Sequence, residues 1–175
     1  PDTDSAPSAV LISGSQLQEG VNGSWVKAGC VNGRSAYLNS SGLHLYWQYN
    51  IDVRCADGMQ SQWLISDSVG TGFRACGFQT GDGDGPMEVL RGTWQVAANG
   101  AWVSDRDLQM KAVQAYRCCR RAAATVERDL SSLGRFQDPT ISGYFEADEQ
   151  VVVVQQVDLA GGVKRLKTEK GWVSL

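Results

Sequence analysis

The chain carries one histidine, in "LHLYWQY". A histidine acting as a general base needs a partner to orient it and a cleft to hold the substrate. Alternation through this segment puts His44 opposite Leu43 and Leu45, on the side of Tyr46, and nothing nearby supplies either requirement. His44 is therefore read as a structural or surface residue. The serines of "ISDSVG" lack the elbow spacing that exposes a nucleophile, and no Cys–His pair is specified by spacing. Five cysteines (Cys30, Cys55, Cys76, Cys118 and Cys119) without a CxxC, beside a single histidine, do not make a zinc site. Asp82 and Asp84 in "GDGDG" open like a calcium loop, and Glu88 adds an oxygen donor. An EF-hand, however, needs Glu at its twelfth position, which counted from Asp82 is Thr93. The expectation is a plain Gly/Asp loop, with no catalytic residue, no metal and no cofactor.

Binding chemistry has more to work with. Net charge is −3, unevenly placed. Residues 1–109 hold six basic side chains against eleven acidic, residues 110–128 five against one, and residues 129–175 five against seven. A basic band thus lies between two acidic stretches. Within it Arg117, Arg120 and Arg121 are candidates for contact with a protein partner, because the planar guanidinium pairs with carboxylates in two-pronged fashion. Nucleic acid is not expected: only Tyr116 in the band could stack a base, and the acidic flanks repel phosphate. The aromatic pair Tyr46 and Trp47 is the second candidate contact. Neighbours on a strand face opposite sides, so one ring should face outward unless a second layer or a partner covers it. Trp25, Trp63, Trp102 and Trp172 stand beside Val or Leu and are read mainly as core, though a total of six tryptophans leaves glycan stacking open.

These residues must be positioned by short strands. Glycine is abundant at 20 residues, proline scarce at 4, and no apolar run is long enough for a membrane helix. Asn22-Gly23, Asn32-Gly33 and Asn99-Gly100 are strong hairpin signals, since both residue types tolerate positive φ. "SWVKA", "SAYLN", "LHLYWQY", "QWLIS", "FRACGF", "TWQVA" and "AWVS" are too short for helices. The fold class expected is all-β: a polar tail at 1–9, an antiparallel β domain at 10–110, a basic connector at 111–123 and a small barrel at 124–175. The connector is expected to be partly helical or extended. Trp-Val-Ser occurs at 102–104 and again at 172–174, each copy after a glycine-bearing turn, as though each closed one β unit. Trp172 is expected to plug the second core with Val126, Val152 or Val154 and Leu166.

The last third resembles the SH3-like domains of the bacterial SH3 type over about 50 of 175 residues. The resemblance rests on Thr125-Val126 in an opening strand and a glycine after an Ile-containing strand (Ile141, Gly143). It rests further on an acidic turn from Glu146 to Glu149 before a valine run, and on a hairpin ending in Gly171-Trp172-Val173. It implies a five-stranded barrel and binding rather than catalysis. The function expected is therefore that of a non-catalytic interaction protein, an accessory or extrinsic subunit of a larger assembly such as a membrane complex, touching the membrane at most peripherally. A glycan- or wall-binding module is the alternative, and an enzyme of unrecognised class the second. A chain starting at Pro1 reads as processed or trimmed, which favours an organelle lumen or an extracytoplasmic compartment. Asn22 and Asn39 head N-glycosylation sequons.

Overall fold

A computed structural model describes residues 6–51, 60–79, 89–118, 121–125, 141–159, 162 and 164–174. The chain is all-β and divides into two compact units, Pro1–Ala112 and Val113–Leu175. In the first unit the strands are β1 (Ala9–Ser13), β2 (Gly23–Val31), β3 (Arg34–Asn39), β4 (His44–Ile51), β5 (Gln60–Ser68), β6 (Thr71–Gln79), β7 (Val89–Ala98) and β8 (Ala101–Ser104). Each pairs antiparallel with the next. The chain passes between units within β9 (Gln109–Arg117), whose sheet neighbour on the first unit's side is β1.

Turn chemistry explains two of the three expected hairpins. Asn32 and Gly33 take φ of 52° and 80°, and Asn99 and Gly100 take 52° and 77°. These are the left-handed values that a two-residue hairpin needs to match strand twist. Asn22 is different: its φ is −68° and it follows a single 3-10 turn at Glu19–Val21. Its carboxamide accepts from the Ser15 amide at 3.0 Å and donates to the Ser15 carbonyl at 2.8 Å. Asn22 therefore staples the β1–β2 loop instead of making a hairpin.

Alternation splits the strands between two buried layers. One side gathers Trp25, Tyr37, Leu45, Trp47, Trp63 and Trp94, with Val10, Ile12 and Leu108. The other buries Tyr46, Leu64 and Cys76 under half-buried Val31, Phe73 and Trp102. This corrects the reading of Tyr46 and Trp47 as a contact surface. They do face opposite sides, but both sides are covered, leaving Tyr46 0% and Trp47 5% exposed. The Tyr46 hydroxyl accepts from the Gly70 amide at 2.7 Å, and the Arg34 guanidinium lies 4.1 Å from the Trp47 ring centre. His44 is half-buried on the Tyr46 side, with Leu38 and Ser66 as its cross-strand partners. The Ser66 hydroxyl is committed to the Ser68 carbonyl.

Buried polar groups tie the loops down. Asp105 is 4% exposed; it accepts from the Ser15 hydroxyl at 2.7 Å and from the amides of Asp107 and Leu108, each at 3.2 Å. Asn39 is also buried; its oxygen accepts from the amides of Ser41 and Leu43, and its nitrogen donates to the Gly20 carbonyl. Both sequon asparagines thus use their carboxamides structurally. The tail is held close to its end: Ser8 accepts from the Lys27 amide and Pro7 from the Tyr37 hydroxyl.

The segment expected as a connector is largely strand. Lys111–Arg117 lies in β9, where alternate residues share one side instead of following a helical stripe, and Arg117 is exposed. In the second unit β12 (Gln150–Val153) pairs with β9. The others, β10 (Ala122–Thr125), β11 (Ile141–Phe145), β13 (Gln155–Asp158), β14 (Lys164–Thr168) and β15 (Gly171–Ser174), form a five-stranded sheet ordered β11-β10-β15-β14-β13. The two Trp-Val-Ser copies fall in β8 and β15. Trp172 is buried as expected, but not beside Leu166. Leu166 is the Cα partner of Val173, whereas Trp172 is that of Lys167, so Trp172 and Leu166 face opposite sides. Val126 lies outside the described residues.

Candidate functional site

The strongest surface feature in the second unit comes from a register shift. In the β10–β11 pair Ala124 faces Gly143 and Thr125 faces Ile141, so Ser142 is an extra residue in β11. Such a bulge inverts the alternation beyond it. Ile141 and Tyr144, three apart in sequence, therefore come out on the same side. Both are exposed, at 48% and 43%. Ala124 and Phe145 are buried on the other side, in a cluster with Val151 and half-buried Cys118 and Val173.

Charged groups frame these two side chains. The Arg121 guanidinium lies 4.2 Å from the centre of the Tyr144 ring, and its Nε is 3.2 Å from the Glu146 carboxylate. Arg121, Tyr144 and Glu146 thus form one exposed constellation at the end of β10 and β11. The ion-pair side chains are 62% and 66% exposed, so the pair contributes little to stability. Its effect is to hold the guanidinium over the ring. Thr125 is the Cα partner of both Ile141 and Trp172, which places Trp172 on this same side, buried farther along the sheet. Arg165, two residues from Lys167 on β14, shares that side; it is buried and donates to the Ser174 hydroxyl at 2.8 Å.

Lys170 organises the opposite side. Its stem crosses Gly143, where a methyl group would sit 3.5 Å from the lysine Cβ. Its ammonium reaches the Tyr144 carbonyl at 3.0 Å, the Glu149 carboxylate, and a point 4.5 Å from the Phe145 ring centre. The Lys170 hydrogen bond, and then one from the Glu146 amide, hold the Glu149 carboxyl below the ordinary carboxylate value. The Glu149 carbonyl accepts from the Cys118 amide, and the Cys118 carbonyl accepts from the Asp148 amide. The acidic turn is therefore bound to the end of β9 as well as to the β14–β15 turn.

Of the residues expected to meet a partner, Arg117 is exposed on β9 opposite Gln150, and Arg121 is exposed on the Tyr144 ring. Arg120 lies outside the described residues, as do Asp82, Asp84, Glu88, Cys55 and Cys119. Cys30 is an exposed free thiol, Cys76 is buried and Cys118 is half-buried. Sequence reading does not group Ile141, Tyr144 and Glu146 on one exposed surface. The glycine after Ile141 was visible, but the bulge that aligns Ile141 with Tyr144 has no sequence signature of its own. Among the described residues no group of three or more His, Cys, Asp or Glu is placed to hold a metal ion, and no helix is long and apolar enough to cross a membrane. Comparison of the chain with protein-family models, curated proteins and solved structures finds no match in any of the three.

Proposed function

We propose that this chain is a non-catalytic interaction protein, an accessory or peripheral subunit of a larger protein assembly, and that the Ile141–Tyr144–Arg121 surface is its contact with a partner subunit. The observation that carries the reading is the exposure of Ile141 and Tyr144 side by side, with an arginine stacked on the tyrosine. An aromatic, an aliphatic and an arginine grouped on one exposed face match the composition of contact surfaces that dominate protein binding. The resemblance of this unit to SH3-like domains, whose role is binding, supports the same reading.

The alternative of glycan binding draws less support. Five of the six tryptophans are buried and Trp102 is half-buried, so their rings are spent on the core rather than offered to a sugar. Native size-exclusion of an extract from cells that make the protein tests the reading. The expected result is elution with a larger assembly. Elution as a free monomer that binds polysaccharide would overturn it in favour of the glycan-binding alternative.

A further inference from the structure

Three asparagines in the chain precede glycine: Asn22, Asn32 and Asn99. A following glycine leaves its backbone nitrogen unshielded, so it can attack the asparagine carboxamide carbon. The structure treats the three differently. Asn22 is held by two hydrogen bonds to the Ser15 main chain. Asn32 donates to the Trp47 carbonyl at 2.8 Å and to the Gln48 Oε1 at 3.3 Å. Asn99 is exposed at the β7–β8 turn, and its carboxamide has no hydrogen bond to any described residue.

We propose that Asn99 is a site of spontaneous covalent modification, by cyclisation onto Gly100 and hydrolysis to aspartate and isoaspartate. The Gly100 nitrogen forms a bond to the Asn99 side-chain carbonyl carbon and loses its proton. The bond to the side-chain nitrogen breaks, and ammonia leaves. Water then opens the five-membered imide at either carbonyl. The net change is addition of water and loss of ammonia, with no oxidant or reductant. Opening at one carbonyl restores the normal backbone with a new carboxylate. Opening at the other routes the main chain through the side-chain methylene.

The second outcome matters for the fold. The turn holds both residues at positive φ, and Ala98 pairs with Ala101 directly beside it. An extra methylene there breaks the geometry that joins β7 to β8. Strand β8 carries Trp102, which packs on Tyr46, Leu64 and Cys76. Isoaspartate at position 99 therefore loosens the cover over that cluster.

Peptide mapping by mass spectrometry of the purified full chain, held native at neutral pH and sampled over time, tests this. The native protein is expected to convert at Asn99 first. Asn22 and Asn32, which must each break two hydrogen bonds, should lag by roughly tenfold or more. In denaturant the three sites should converge to comparable rates. Native conversion at Asn22 or Asn32 as fast as at Asn99 would overturn the proposal. So would an Asn99 that converts in denaturant and stays intact in the native protein.

Discussion

Gly77 and Trp94 face each other across the β6–β7 pair, and a methyl group on Gly77 would lie 2.7–2.9 Å from the indole ring. Trp94 is 2% exposed, so it has nowhere to go. The glycine is present for space. Its replacement by alanine overpacks the core, which costs about 1–3 kcal/mol. Gly77→Ala should lower the unfolding free energy of the first unit by that amount, read as a lower urea midpoint with little change in slope. An unchanged midpoint would mean the indole has room to shift.

Asp105 accepts three hydrogen bonds in a buried site. Asp105→Ala strands the Ser15 hydroxyl and two backbone amides, and each buried group left unpaired costs about 1–3 kcal/mol. The loss should exceed that of Ser15→Ala, which removes one of the three partners of Asp105 and the acceptor of the Gln18 amide. Equal losses in chemical denaturation would show that the amides find water instead.

Trp172→Ala should unfold the second unit while sparing the first. Truncating a buried tryptophan costs about 3–5 kcal/mol, a large share of what a small unit holds. Loss of the second unit's thermal transition, with the first unit's transition matching the parent, is the expected readout. A melting profile identical to the parent would contradict the burial of Trp172.

Acid should weaken the Lys170–Glu149 clasp. A carboxyl whose folded pKa is depressed adds stability that is fully present above its unfolded pKa and lost as pH falls through the folded value. The Glu149 carboxyl is held down mainly by Lys170. The window therefore lies below the ordinary carboxylate range. Lys170→Met should flatten the acid limb of the second unit's pH–stability profile by lowering its neutral-pH plateau, with stability at low pH nearly unchanged. A profile still as steep as the parent's would assign the acid limb to other carboxylates.

The strands were legible because alternation and Asn-Gly turns are local signals. β2 through β8 fall on the segments that read as short and β-prone. What escaped was relational. Tyr46 and Trp47 looked half-exposed because alternation says which sides they face and not what covers each side. The basic segment at 111–123 reads as a connector, partly helical or extended, because its Ala, Arg, Gln and Lys are good helix formers; pairing of Gln114–Arg117 with β12 selects the extended alternative there. The likeness of Asn22-Gly23 to a hairpin failed because its carboxamide found Ser15. The proposed contact surface depends on one extra residue, Ser142, whose effect exists only in the register of β10 against β11.

The most direct test of the account is co-migration of an Ile141→Glu/Tyr144→Glu double variant with the native assembly, read beside its melting temperature. Both side chains are exposed, so the melting temperature should stay close to the parent's. The account predicts that the variant leaves the assembly and runs free, and that Arg121→Glu weakens association in the same direction. A variant that stays fully bound would contradict the assignment of this surface as the partner contact.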